Sequence, residues 1–459
     1  MVELSPPSPS GEKPAVDNRD GKQEAILEAC KNRDLEALRE LAELPGGFLT
    51  DTLREQAWPI LLGLSPTDLK REQPSWKTLP RHGDEDQVQL DVNRAFTYYP
   101  HDQTEAQLAH TKSLLSDLIV ALLRTRPYLC YFQGYHDIAQ VLLLTLPPHL
   151  RLPALTRLSL FHIRDFMLPS LSPAISQLRL IPEILRLADP PLYRHLAGLE
   201  PFFALSGTLT MYAHDVPSRA AIVRLFDALL AREPVFSVYL FAAIVRARRE
   251  ELFETSADDT DMLHFLLSKL PTSLDIDGLI AQAARLRREV PPERLKAWRK
   301  GISRWSVLKT ERFRPAQRRR RRRRSSSSTT TSTSTTSTTV AAAVSDQDEK
   351  RSLGSDPDGD PSPEPALDPE PVPLSLARQW FDRHVAELQS HERREKMRKW
   401  LHQHRRPAGL GLVGVAVLVG VVAVLVQHQQ QRGATGLPGP LAAGLGYVSR
   451  LVAGWWSRR

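Results

Sequence analysis

The chain has 459 residues, 41% of them apolar and 25% charged, an ordinary globular composition. Its two cysteines, Cys30 and Cys130, exclude a disulfide scaffold and a multi-cysteine zinc site, and they fit a reducing compartment. The net charge of +8 hides two opposed blocks: Arg318–Arg324 is seven arginines, and Ser345–Pro371 holds nine acids against two bases, so the rest is only mildly basic.

Residues 1–21 are rich in Pro, Ser and charge and hold no apolar run. They predict a disordered N-terminus and no secretory signal. None of the three asparagines (Asn18, Asn32, Asn93) begins an Asn-x-Ser/Thr acceptor. A helical body is expected over 22–308. It opens with Ile26, Leu27, Leu35, Leu38 and Leu41 among charged residues and breaks at Pro45-Gly46-Gly47. Thr50-Asp51 then reads as the N-cap of a helix carrying Leu53, Ala57, Trp58, Leu61 and Leu62. A polar loop (65–86) precedes a helix near 87–98. The clearest amphipathic helix is 108–123, where Leu114, Leu115, Leu118, Ile119, Leu122 and Leu123 form one face. Further helices are expected near 138–146, 155–166, 174–188, 190–197, 201–212, 219–230, 235–248, 261–269 and 276–288. No sustained alternation of period two and no hairpin signal appears, so the fold class is all-α.

Residues 309–373 read as a disordered linker: the arginine run, fifteen consecutive Ser/Thr (Ser325–Thr339) and an acidic Pro-rich tract. A flexible linker of this length would let a tethered body search roughly 40–50 Å. Residues 374–404 read as a charged amphipathic helix with Leu376, Trp380, Val385, Leu388, Met397, Trp400 and Leu401 as its apolar members. Residues 408–426 hold only Ala, Gly, Leu and Val. At 1.5 Å rise they would span roughly 28 Å, one hydrocarbon core, and predict a transmembrane helix. Arg405-Arg406 place its N-terminal side in the cytosol. The tail 427–459 ends in Trp455-Trp456-Ser457-Arg458-Arg459 and reads as an interfacial helix or as a hairpin that returns to the cytosol.

The sequence contains no Gly-x-Ser-x-Gly, Gly-x4-Gly-Lys-Ser/Thr, Gly-x-Gly-x-x-Gly or His-Glu-x-x-His motif. No metal site is expected from His162, Asp165, His136 or Asp137. Two short stretches stand out. In Val88-Gln89-Leu90-Asp91-Val92-Asn93-Arg94, Asp91 and Arg94 share a helix face at i, i+3; alone, they read as a surface ion pair. In Tyr131-Phe132-Gln133-Gly134-Tyr135-His136-Asp137, Gln-Gly among aromatics reads as a tight turn; alone, it reads as packing.

Taken with their neighbours, these stretches resemble a family. Thr50-Asp51-x-x-Arg54-x-x-x-Trp58-Pro59-x-Leu61-Leu62, Val88-x-x-Asp91-x-x-Arg94, Tyr131-x-Gln133-Gly134-Tyr135 and Val223-Arg224-Leu225-Phe226-Asp227 resemble four motifs of TBC (Tre-2/Bub2/Cdc16) domains, in order, across about 46–290. This sequence has Val for Ile at 88, Tyr for Met at 135 and Phe for Trp at 226. His162-x-Arg164-Asp165-Phe166-Met167 and Leu209-Thr210-Met211-Tyr212-x-His214, with the apolar C-terminal segment, resemble the endoplasmic-reticulum-anchored branch of the family. The homopolymeric runs depart from the animal pattern.

The resemblance implies a GTPase-activating protein for a Rab GTPase of early secretory, endoplasmic-reticulum-to-Golgi traffic. Arg94 would be an arginine finger and Gln133 a glutamine finger, both supplied in trans. Asp91 would orient Arg94, and Gly134 would allow close backbone approach. Tyr135, Arg54 and Trp58 would support the fold or position other groups, and Arg224 would pair with Asp227. The chain would carry no cofactor or metal of its own, because GTP and Mg2+ belong to the partner GTPase in its GTP form. Residues 408–426 would contact membrane lipid, placing the chain in the endoplasmic reticulum or early Golgi membrane with its catalytic domain cytosolic. No nucleic acid is expected to bind. The alternative is a membrane-anchored scaffold that binds a Rab without activating it.

Overall fold

The computed structural model describes residues 16–65, 75–100, 102–271, 273–310 and 372–404. Among them every regular element is helical, as the periodicity predicts. The sequence segments 318–339, 408–426 and 427–459 lie outside the described residues. The chain divides into two compact units, Met1–Val385 and Ala386–Arg459.

The first unit is built around Phe236–Ala247, nearly every residue of which is buried. That helix packs on Ile276–Glu289 and Leu180–Ala188. A helix covered on all sides carries no polar face, which is why this one reads Phe-Ser-Val-Tyr-Leu-Phe-Ala-Ala-Ile-Val. Arg219–Ala231 packs on Leu35–Glu43 and Asp51–Leu61. The long helix Glu105–Thr125 supports Glu85–Asn93, Tyr135–Thr145 and Pro148–Phe161. Those four carry the candidate site.

Caps and breaks follow local chemistry. Thr50 accepts from the Leu53 N–H (3.4 Å) and starts Asp51–Leu61. Thr104 and Gln107 form a reciprocal capping box at the head of Glu105–Thr125. Several boundaries differ from the sequence expectation. The first helix starts at Val16, inside the expected N-terminal lead. The helix expected to reach residue 98 stops at Asn93, because Phe96 takes a positive φ of 65°. The span 174–188 is two helices, Ser172–Leu178 and Leu180–Ala188. The span 201–212 is a short 3₁₀ turn and Leu205–Leu209, ended by positive φ at Met211 and Tyr212.

A helix does run over Leu374–His404. Its first turns, 374–385, belong to the first unit and pack into it, burying Ala377, Phe381 and His384. The sequence reading placed a free linker immediately before it. Instead, the Val372 carbonyl already accepts from Arg157 Nη1 (2.9 Å), so the chain is held to the first unit on both sides of 311–371. With Thr310 and Val372 both bonded within one unit, the 40–50 Å search radius expected of that segment does not apply. In the second unit, Met397, Trp400 and Leu401 are exposed. Among the described residues no helix is long and apolar enough to cross a membrane.

Candidate functional site

Asp91 lies on the inner face of Glu85–Asn93 and is wholly buried. A buried carboxylate is costly unless donors surround it. Here Oδ1 accepts from Gln87 Nε2 (3.0 Å) and from Arg94 Nη2, and Oδ2 accepts from the Tyr131 hydroxyl (2.8 Å). Arg94 is the first residue past the helix, and its side chain is 57% exposed. Only one of its nitrogens is engaged within the described residues. The backbone around it is fixed: Lys112 Nζ donates to the Asn93 carbonyl (2.5 Å), and the Phe96 N–H donates to Gln140 Oε1 (3.1 Å).

The second stretch sits beside it. The Tyr131 N–H donates to Asp84 Oδ2 (2.8 Å), and its hydroxyl reaches Asp91. One tyrosine thus bridges both ends of the arginine helix to the glutamine loop. Gly134 opens Tyr135–Thr145 with φ +97°, and a Cβ there would lie 2.7 Å from Thr210 Cγ2. Both facts require glycine. Tyr135 is fully buried, its hydroxyl 2.7 Å from Ser159 Oγ and its ring edge-on to Phe132. Between buried Phe132 and buried Gly134, Gln133 is exposed. Arg94 and Gln133, distant in sequence, are thereby exposed polar residues on two segments tied through Tyr131.

The electrostatics beneath are layered. Burial pushes the Tyr131 phenol far above its usual range, and Asp91 adds to the shift. The group is therefore a permanent donor to Asp91. His136 is buried, with Nε2 3.3 Å from Asp137 Oδ1 and Nδ1 3.7 Å from Asp91 Oδ2. Burial lowers its pKa, and the two carboxylates pull the other way. His214 Nδ1 lies 2.9 Å from Asp137 Oδ2, and that hydrogen bond raises its pKa. Among the described residues no His/Cys/Asp/Glu group could hold a metal ion.

The remaining motif residues lie elsewhere and form a second cluster. Arg54 Nε and Nη2 donate to Asp227 (3.0 Å each), Trp58 Nε1 donates to Asp227 Oδ1 (2.8 Å), and the Phe48 N–H donates to Oδ2 (3.0 Å). Arg224 does not pair with Asp227. It binds Asp277 Oδ1 (2.7 Å) and the Ala42 and Leu44 carbonyls (2.9 and 3.2 Å). The family resemblance implied a pair between them, but both side chains are turned to different long-range partners.

Sequence reasoning missed Gln140 and Gly47. Gln140 is buried and braces the backbone after Arg94. A lone amide among Ile138, Val141 and Leu142 was the available signal. Gly47 (φ +53°) stands where a Cβ would be 2.3 Å from Asp227 Oδ2; as part of Pro45-Gly46-Gly47 it was legible only as a helix breaker.

Comparison with known proteins gives the family. The profile of the Rab-GTPase-TBC domain matches residues 51–253. GTPase-activating protein gyp10 of Schizosaccharomyces pombe is 36% identical over 285 residues, covering 61% of this chain and 76% of that one. TBC1 domain family member 20 of Bos taurus is 35% identical and that of Homo sapiens 34% identical, each covering 57% of this chain and 65% of the relative. With the ordered motifs, the all-helical body and a 36% identical relative covered over most of its length, this chain belongs to the Rab-GTPase-TBC domain family of Rab GTPase-activating proteins.

Proposed function

We propose that this chain accelerates GTP hydrolysis by a Rab GTPase of early secretory traffic, with Arg94 and Gln133 as the groups it inserts into the partner's active site. One observation carries the reading. Tyr131 ties the helix that precedes Arg94 to the loop that holds Gln133, and both side chains are exposed, Arg94 above the buried Asp91 and Gln133 between the buried Phe132 and Gly134.

The chemistry follows from what phosphoryl transfer lacks in an isolated small GTPase. The transferring group carries negative charge on its equatorial oxygens, and the attacking water needs orientation. A guanidinium is always charged and offers donors in a fixed fork. Arg94 would place that fork on the phosphate oxygens, with Asp91 holding one nitrogen so that little side-chain freedom is lost on engagement. Gln133 has a carboxamide, which accepts from water and donates to an oxygen at once. GTP and Mg2+ belong to the partner GTPase. Membrane attachment through 408–426, at the endoplasmic reticulum, would hold the activator on the surface that carries a lipidated Rab and raise effective concentration.

The test is single-turnover hydrolysis against a panel of GTP-loaded Rab proteins. Arg94→Ala should lower the stimulated rate by roughly 10³-fold or more, and Gln133→Ala by about 10²-fold. Rab binding without stimulation by the unaltered chain would favour the scaffold reading instead. Recovery of the chain in the soluble fraction after carbonate extraction would reject the anchor.

A further inference from the structure

We infer that residues 374–385, on the far side of the low-complexity segment from the rest of the body, position the glutamine loop and set turnover rather than Rab binding. The inference rests on the assignment of Gln133 above. Three groups of side chains converge on the loop 128–134. From one side, Thr210 fills the space over Gly134. From a second, Phe166 is edge-on to Phe132 (6.1 Å), and the Met167 carbonyl accepts from the Cys130 N–H (2.9 Å). The third is the returning helix, whose Phe381 ring stands edge-on to Tyr128 at 5.0 Å and whose Arg378 guanidinium sits 4.0 Å from the centre of the same ring.

The helix is seated firmly enough to act as a brace. Phe381 and Ala377 are buried. His384 Nδ1 lies 3.6 Å from Asp165 Oδ1, and Asp165 is itself fixed by Gln177 (2.8 Å), Ser306 (2.5 Å) and the Val307 N–H (2.9 Å). Arg164, fully buried, joins the segments on either side of 311–371. Its Nη2 donates to the Trp305 carbonyl (2.8 Å) and to Thr310 Oγ1 (3.1 Å), while its guanidinium stacks 5.5 Å from the centre of the Trp380 ring. The segment 374–385 is therefore packed against Tyr128, at the start of the loop and five residues before the glutamine, although it follows that tyrosine by some 250 positions in the sequence. A loop held on two sides only would sample more positions of Gln133. Misplacing a catalytic group by about 1 Å can cost 10²-fold in rate without weakening binding.

The experiment uses the full-length chain in detergent micelles with the most responsive GTP-loaded Rab, measuring the maximal rate and the half-saturating concentration separately. Phe381→Ala should lower the maximal rate roughly tenfold and leave half-saturation within about twofold. Arg378→Ala, at an exposed position that leaves the core intact, should act in the same direction and more weakly. The deciding arm repeats Phe381→Ala in the Gln133→Ala background. If the helix acts through Gln133, the second change has less than about a twofold further effect, as coupled positions do not add. An equal fold-loss in both backgrounds, or no loss in either background, overturns the inference. Should Gln133→Ala alone leave the rate unchanged, the fault lies in the assignment of Gln133 and not in the helix.

Discussion

Two buried aspartates, each gripping an arginine, do opposite things in this protein. At Asp227 the arginine is spent. Arg54 is almost fully enclosed, two of its nitrogens are on Asp227, and a third is on Asp51 (3.1 Å). At Asp91 the arginine is held by one nitrogen and remains more than half exposed. Both arginines belong to motifs of the same family, and both partners are wholly buried. What distinguishes the two arginines is the share of the donor fork that the fold consumes. A guanidinium with every N–H satisfied internally has nothing to offer a phosphate, whereas one steered by a single bond is oriented and still available.

The largest expected effects come from breaking this contrast directly. Arg94→Lys should lower GTPase stimulation roughly 10³-fold, because an ammonium cannot reproduce the fork, while the melting temperature stays within about 1 °C. Arg54→Lys should do the reverse. It removes bidentate contact with a buried carboxylate, so chemical denaturation should show a loss of about 2–4 kcal/mol. Surviving variant protein should stimulate hydrolysis normally at temperatures where it is folded. A large rate loss from Arg54→Lys in fully folded protein would erase the distinction.

A smaller effect sharpens the picture at the glutamine loop. Gly134→Ala combines a left-handed backbone with a clash against Thr210 Cγ2 at 2.7 Å. It should cost about 2–3 kcal/mol in denaturant titration. Thr210→Ser removes that methyl and keeps the hydroxyl that bonds the Ser206 carbonyl (2.9 Å). In that background the penalty should shrink to the backbone part, about 1 kcal/mol. An unchanged penalty would mean that Thr210 does not crowd Gly134.

The smallest effect is the response of His214 to pH. Its pKa is raised above the usual 6.5 by the hydrogen bond to Asp137. A group that binds its proton more tightly when folded stabilises below its unfolded pKa and loses that contribution as pH rises through the folded value. The melting temperature of the unaltered chain should therefore exceed that of His214→Ala by about 1–2 °C at pH 5.5 and converge with it by pH 8.5. The neighbouring His136 titrates with the opposite sign, because burial lowers its pKa, so the difference between the two proteins is the quantity to follow. A gap that widens with rising pH would mean His214 is not held as the cation.

Much of the fold was legible because helices announce themselves locally. The capping Thr50, the single broad face of 108–123 and the proline breaks all depend on residues within a turn or two of each other. The Asp91–Arg94 pair was legible for the same reason: at i, i+3 the two side chains share a face in any helix. The pair that the resemblance implied at Arg224 and Asp227 has the same spacing, yet there the partners are Asp277 and Arg54. Spacing along a helix says which side chains can meet, and burial from other elements decides which do.

The sequence by itself determined an all-helical protein, four ordered motifs and the two polar residues to watch. Only the tertiary structure decided that Tyr131 joins them, that Gln140 braces the backbone after Arg94, and that residues 374–385 pack into the first unit through Ala377, Phe381 and His384. The physical reason is range. Periodicity and capping are properties of neighbouring residues, fixed by backbone geometry, whereas a buried donor finds its acceptor wherever the packed core excludes water, at any distance along the chain.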